Sequence, residues 1–567
     1  MHWTLLTQDK KLQDELSGAL NILPITAQVM INRGIKTPAD GERFLNPSLR
    51  ALHDPFLMAD MEKGVRRIVD AILGRERITI YGDYDADGVT STALLLNFFK
   101  AVDTEAAFYI PHRVNEGYGL NNDAIAELQR RGTQLIITVD CGINALDQVL
   151  NAKKLGMDMV ITDHHEPSAE LPAACATINP KRSDCKFPFK QLAGVGIVFN
   201  LIMALRQRLR ELGYFKTYPE PRLRDMLDIV AIGTIADVVP LIDENRIFVK
   251  FGLEELKISS NKGINALKII SGLEAHEINT TAVAFRLAPR INAAGRVDDQ
   301  NLGVRLLVTD DPEEAVIIAQ KLHGANSRRQ AIEGAILKDA GDIIKNAPEF
   351  EGNLGLTVYK EGWHPGVIGI VATRLAEEHK KPTVIIGISE GLGRGSVRSV
   401  GEYNVIDVLR RCEDLLIRFG GHRHAAGLSI EPQNIEKFKK KFNDIISATL
   451  GEEDRVSRVF IDAELLPADV TEGLINELEL MEPFGKENPE PVFSMKEMKV
   501  SHARVVAEKH LKLKFTDNMV ILDAIGFGMG SSPVTREDVL DVAFIPQRDT
   551  WAGKGAVQLK LRDIKAV

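Results

Sequence analysis

Three short groups of acids and imidazoles could do chemistry: Asp83-Tyr84-Asp85-Ala86-Asp87-Gly88, then Asp140, then Asp163-His164-His165. Each directly follows an apolar, β-prone run, at 78–81, 135–139 and 159–162. In a parallel sheet such positions converge at the carboxyl edge, where open α/β sheets bind ligands. At least five acids and two imidazoles gathered there repel one another unless cations lie between them. Hard oxygen ligands with one or two imidazoles suit Mn²⁺ or Mg²⁺ better than zinc, and this many carboxylates favours two ions. Two ions about 4 Å apart can activate a water and stabilise the leaving oxygen at phosphorus. The pattern therefore predicts hydrolysis of a phosphate ester or anhydride.

Plainer readings are weaker. Asp83 to Gly88 also resembles the start of a calcium EF-hand loop, but the twelfth position is Leu94 rather than Glu, and a strand precedes the loop. A helix cap needs one Asp, whereas three within five residues are costly without a cation. Asp140 alone could cap a helix, and His164 and His165 alone could be a polar turn. Gly233-Thr234-Ile235-Ala236-Asp237-Val238-Val239-Pro240 places a single acid in an apolar run. Buried there, Asp237 needs a metal or a strong donor.

The elements that must position these groups are legible as alternation. Strand-like and helix-like stretches follow one another at 77–81, 89–102, 106–111, 122–131, 134–140, 143–155 and 158–163, which implies a parallel sheet covered by helices on both faces. Pro312 sits where a helix can start, and good helix formers run from it to about Asn346, long enough for a spacer between domains. A second α/β unit follows, with strands at 354–359 and 382–388 and glycine-rich turns. In the tail, Leu511 to Phe515 and Val557 to Arg562 alternate apolar and polar residues, as half-buried strands of a small barrel such as an OB-fold do.

Composition sets the frame. A chain of 567 residues is too long for one core, and a soft prior gives roughly three or four domains. With 44% hydrophobic and 26% charged residues it reads as an ordinary soluble globular protein. No apolar run is long enough to span a bilayer, and no export signal is evident. The four cysteines lack CxxC spacing, which fits a reduced, cytoplasmic setting. A net charge of −9 does not suggest a nucleic-acid binder, but Arg286, Arg290, Arg296, Arg394 and Arg398 fall in stretches without acids. Such strips suit a confined groove for a polyanion.

With these residues assembled, the chain resembles the DHH/DHHA1 phosphoesterase superfamily, named for the motif that stands here as Asp163-His164-His165, and within it the bacterial single-strand-specific exonucleases. The resemblance rests on Gly82 to Gly88, Val139-Asp140-Cys141-Gly142, Thr162 to His165, Arg290-Ile291-Asn292-Ala293-Ala294-Gly295-Arg296, Gly362 to Gly369, and Gly420-Gly421-His422. It implies that Asp83, Asp85, Asp87, Asp140, His164 and Asp237 ligate metal, with His165 against the scissile phosphate. Some branches carry a His where Thr79 stands here, while Asp87 adds an acid, so the assignment of acids to each ion stays open. The resemblance further implies a helical lead-in (1–45), a DHH domain (46–255), a connecting segment with the spacer helix (256–345), a DHHA1 domain (346–452) and an OB-fold-like domain (453–567).

Gly391 to Ser399 is expected to offer backbone amides, Ser396 and Arg398 to a phosphate, since arginine can donate two hydrogen bonds at once. His422, Arg113, Arg290, Asn292 and Arg296 join that set, and His364 is read as structural. The implied activity is a 5′→3′ exonuclease on single-stranded DNA that releases mononucleotides with two Mn²⁺ or Mg²⁺ ions. The implied setting is recombination and repair, as a monomer with a single-strand-binding protein and a RecQ-type helicase as collaborators and no membrane. The rivals are an oligoribonuclease, cyclic-dinucleotide phosphodiesterase or pyrophosphatase of the same superfamily, and a non-catalytic DNA-binding scaffold.

Overall fold

The computed structural model describes the chain except for residues 113–115, 118, 348–349, 351, 452–457, 517–519 and 550–555. Two compact units emerge, one of residues 53–239 with 243–456, the other of 1–52, 240–242 and 457–567.

In the larger unit β1 (Ile78–Tyr81), β2 (Ala106–Tyr109), β3 (Leu135–Val139), β4 (Asp158–Thr162) and β5 (Ala176–Ile178) form an all-parallel sheet in the order β2-β1-β3-β4-β5. Every residue of β1 and β3 is buried, as expected of strands covered on both faces. The chain leaves β1 for β2 on one side and then crosses to β3 on the other. The switch point of this topology therefore lies between the carboxyl ends of β1 and β3.

Helix α1 (Ala86–Ala101) starts immediately after β1 because Asp85 caps it. Its Oδ1 accepts the amides of Asp87 and Gly88 at 2.9 and 3.1 Å. The helix thus begins three residues before the apolar pattern at Val89: the acids themselves build its first turn, where the helix dipole favours negative charge. Against it pack α2 (Gly194–Glu211) and α3 (Leu227–Ala236), with α4 (Asp243–Ile258) behind α3. A π-turn at Val283–Leu287 leads into α5 (Ala288–Val297). The spacer α6 runs from Pro312 to Asn346, 35 residues, with Asp311 as its cap.

α6 packs on both α5 and α7 (Ile368–His379), burying Ile336 and Ala340 against Val367, Val371 and Leu375. The second sheet contains β6 (Leu356–Glu361), β7 (Thr383–Ser389), β8 (Leu392–Arg398), β9 (Arg418–Gly421) and β10 (Ala425–Ile430) in the order β9-β10-β8-β7-β6. Here one expectation fails. The glycine-rich segment from 391 to 399 is not a turn with amides on offer but strand β8, paired on one side with β7 and on the other with β10. Its glycines serve packing: a Cβ on Gly393 would lie 2.9 Å from Ile430 and one on Gly395 would lie 2.8 Å from Leu428. Gly420 and Gly421 also lie in a strand, β9.

In the smaller unit the strands Phe493–Val506, His510–Thr516, Ile521–Gly526, Val557–Ala566 and Val539–Arg548 pair in that order, and the last closes on the first to make a barrel. Leu511, Leu513 and Phe515 point inward with Phe493, Phe544 and Leu559, while Lys514 is exposed. Register shifts in the first strand supply the bends that closure needs. The N-terminal segment opens not with a helix but with a strand, His2–Leu5, paired in parallel with Arg458–Ile461. Arg33 forms a nearly buried ion pair with Asp462 at 2.9 Å. Among the described residues no helix is long and apolar enough to cross a membrane.

Candidate metal centre

The three sequence clusters meet at the carboxyl edge of the parallel sheet. Asp83, Asp87, Asp140, Asp163 and His164 are buried there, and Asp85, His165 and Asp237 are half-buried. Their ligand atoms fall into three overlapping sets: Asp83, Asp85 and Asp140; Asp140, His164 and His165; Asp87, His164 and Asp237. Within each set the atoms lie within 4.8 Å of one another. Asp140 and His164 are each shared by two sets, so adjacent ion positions would have ligands in common.

Local structure explains the convergence. Asp140 follows β3 in the left-handed region, with φ of 60°, and Gly142 continues the turn at φ of 109°. Asp237, the lone acid of its apolar run, is the C-cap of α3. α3 can come close because Gly233 faces α1: a Cβ there would lie 2.2 Å from Thr90 Oγ1 and 3.2 Å from Asp87 Oδ1.

The electrostatics of His164 are the sharpest argument for a cation. Its Nδ1 is 3.1 Å from the Leu192 carbonyl, which can only accept, so Nδ1 carries the proton. Burial, reinforced by His165, lowers its pKa to about 3, which keeps the ring neutral. Nε2 therefore turns a lone pair toward Asp140 Oδ1 at 3.1 Å and Asp87 Oδ2 at 3.9 Å. Burial, then the charge of Asp85, pushes Asp87 above the usual carboxylate range. Burial also raises Asp140 and Asp237, with Asp87 the leading neighbour in both cases. A proton or a metal ion must lie among these atoms. The donor set, carboxylates with one neutral imidazole, fits Mn²⁺ or Mg²⁺.

Asp163 plays a different part. Its Oδ1 accepts Nδ1–H of His165 at 2.7 Å and its Oδ2 accepts the Ile143 amide at 2.9 Å. Burial opposes charge on both partners. Their hydrogen bond outweighs it, holding Asp163 low and raising His165 to about 8.

Sequence reasoning missed the segment from Gln191 to Val195. The amides of Gly194 and Val195, at the start of α2, donate to the two oxygens of Asp87 at 2.6 and 2.8 Å. A Cβ on Gly194 would lie 2.8 Å from that of Asp140. The only linear signal is Gly194-Val195-Gly196 heading an apolar helix, which does not by itself point to the metal centre.

The expected phosphate contacts are placed less uniformly. Asn292 Oδ1 accepts the Ala86 amide at 2.7 Å, so it props the acidic turn. Gly295 faces the same turn, where a Cβ would come 2.6 Å from the Tyr84 carbonyl. Arg296 donates to the Gly366 carbonyl at 2.9 Å, joining α5 to the turn before α7. In that turn His364 Nδ1 accepts the Gly366 amide at 3.1 Å. Arg290 donates to the Arg286 carbonyl and reaches His323 at 3.3 Å. Arg398 donates to Ser396 Oγ at 2.9 Å and to Thr373 Oγ1 at 3.1 Å. His422 is exposed, its amide bonded to the Ala425 carbonyl at 2.8 Å. Arg113 lies outside the described residues.

Comparison with known proteins agrees with this architecture. Residues 77–234 match the DHH family, N-terminal domain, 352–448 the DHHA1 domain, and 461–563 the RecJ OB domain. The single-stranded-DNA-specific exonuclease RecJ of Dickeya dadantii is 35% identical over 98% of this chain and 98% of its own length. That of Bacillus subtilis is 36% identical over 99% of this chain and 70% of its own length. The crystal structure of Thermus thermophilus RecJ in complex with Mn²⁺ superimposes with a TM-score of 0.85 at 30% identity, covering all of this chain (100%) and 80% of that one. The Mg²⁺ complex of the same protein gives 0.79 at 29% identity, with coverage of 100% and 78%.

Proposed function

The chain belongs to the RecJ family of exonucleases, and from that premise we propose a 5′→3′ exonuclease specific for single-stranded DNA. It hydrolyses phosphodiester bonds and releases mononucleotides, using two ions of Mn²⁺ or Mg²⁺. The observation that carries this reading is the neutral His164 lone pair facing Asp140 and Asp87, while the protonated His165 beside it is already bonded to Asp163.

Asp83, Asp85, Asp87, Asp140, His164 and Asp237 would hold the ions, which when bound lower the pKa of a water and stabilise the leaving 3′-oxygen. The protein's own part is to fix those ligands before substrate arrives. Leu192 sets the tautomer of His164, and the amides of Gly194 and Val195 hold both oxygens of Asp87. His165, its Nδ1–H anchored on Asp163, keeps a proton on Nε2 that can be donated to a phosphate oxygen. Arg113, Arg290, Arg296, Ser396, Arg398 and His422 would grip the strand near its 5′ end, with Asn292 supporting the acidic turn. Arg398 is suited to this because Thr373 and Ser396 already hold its guanidinium, so little order is lost on binding. The four free cysteines favour a reducing, cytoplasmic setting, and the family points to work beside a single-strand-binding protein and a RecQ-type helicase.

Purified protein with Mn²⁺ and end-labelled oligonucleotides tests the reading. A 5′-labelled single strand should lose its label as a mononucleotide from the first turnover, while blunt duplex survives. Cleavage confined to dinucleotides, or binding without cleavage, would overturn it.

A further inference from the structure

One segment, Gln191 to Val195, touches three of the proposed ligands: His164 through the Leu192 carbonyl, Asp87 through two amides, and Asp140 through the bare Cα of Gly194. What holds that segment lies at the start of α4. Asn245, fully buried, donates from Nδ2 to the Gln191 carbonyl at 2.7 Å. Its neighbour Glu244, also fully buried, accepts Nδ2–H of Asn200 on α2 at 3.0 Å and the His53 amide at 2.7 Å. Asn200 in turn donates to the Gly196 carbonyl at 3.1 Å, in the first turn of α2.

Burying two carboxamides and a carboxylate away from water costs free energy that a purely apolar core would not incur. Their hydrogen bonds converge on the segment that orients the ligands. From this convergence we propose that Asn245 is a positioning residue for the metal centre. Its bond to the Gln191 carbonyl registers the segment so that Leu192 presents its oxygen to His164 and the α2 amides meet Asp87. The inference rests on the two-metal reading above and has Asn245 act on the ligands through the backbone of Gln191 to Val195. Loss of the bond leaves every ligand present but loosens the tautomer and orientation of His164. Outer-shell losses of this kind typically weaken metal binding by about 10–100-fold.

The test is Mn²⁺ affinity of the full chain, measured by electron paramagnetic resonance of free Mn²⁺, with exonuclease assays across Mn²⁺ concentration. In Asn245→Asp a carboxylate oxygen replaces the donor and faces the Gln191 carbonyl. In Asn245→Ala the donor is simply gone, which serves if the aspartate fails to fold. Both should bind Mn²⁺ about 10-fold or more weakly and shift the Mn²⁺ dependence of activity to higher concentration, with rate recovering as Mn²⁺ is raised. Leu256→Ala, a cavity on the same helix where Leu256 is fully buried, controls for lost stability and should leave Mn²⁺ affinity unchanged. Unaltered affinity in the Asn245 variants, or an equal loss in Leu256→Ala, overturns the positioning role. A wild-type chain that binds no Mn²⁺ overturns the two-metal reading instead.

Discussion

His164 and Asp140 stand with Nε2 and Oδ1 3.1 Å apart, although the ring's proton sits on the opposite nitrogen, bonded to Leu192. Two acceptors that close repel unless a proton or a cation is shared between them. In the metal-free chain a proton must therefore be held between them, and a divalent ion takes its place.

Asp140→Asn should thus raise the melting temperature of the metal-free protein, because it removes one of several buried charges that repel one another. In wild type, Mn²⁺ at 100 times its dissociation constant should add about 2.7 kcal/mol, and the variant should gain far less. Thermal melts with chelator and with Mn²⁺ check both signs, and turnover by the variant should fall below detection while single-strand binding persists.

Asp163→Asn keeps the shape of the side chain but removes the charge that raises His165. We expect kcat to fall about 100-fold with KM nearly unchanged, and stability to fall by about 1–3 kcal/mol because the carboxamide nitrogen must face one of the N–H donors that Asp163 now accepts. A loss expressed in KM alone would place His165 in strand binding rather than in the chemical step.

Gly194→Ala places a methyl 2.8 Å from Asp140 Cβ and 2.9 Å from its Oδ1. Something must shift, at about 1–3 kcal/mol of stability. The expected signature is lower Mn²⁺ affinity in calorimetry together with reduced activity, even though no ligand has changed.

Asp228, remote from the metal cluster, titrates against burial. Burial raises its pKa from 3.8 to about 6 despite hydrogen bonds from Ser259 and the Ile229 amide. Across that window the folded chain holds a proton that the unfolded chain has lost, so stability falls as pH rises and stays reduced above it. Asp228→Asn removes this term. The variant's melting temperature relative to wild type should climb from pH 4 to pH 7, by roughly 1–3 kcal/mol in stability. A difference that does not change with pH would refute the burial argument.

Much of this molecule is legible in linear order because its chemistry is local. The acids follow their strands within a few residues, and a parallel sheet with this alternation has one edge at which they can meet, so Asp83, Asp85, Asp87, Asp140, His164 and His165 could be grouped before any fold was known. The spacer helix was equally readable, since Pro312 and an unbroken run of helix formers state its length. Glycine misled at 391–399, because a residue that permits turns equally permits two neighbouring strands to crowd a third. The strand at His2–Leu5 carries no local sign of its partner 456 residues away at Arg458.

Linear order shows which groups are candidates to bind a divalent ion and that they follow successive strands, because side-chain type and the alternation of strand and helix are properties of short segments. Folding alone settles which nitrogen of His164 carries the proton, which oxygens of Asp87 are already held, and that Gln191 to Val195 does the holding. Those facts depend on hydrogen bonds between segments 28 and 107 residues apart, and such partners leave no periodicity or spacing to read.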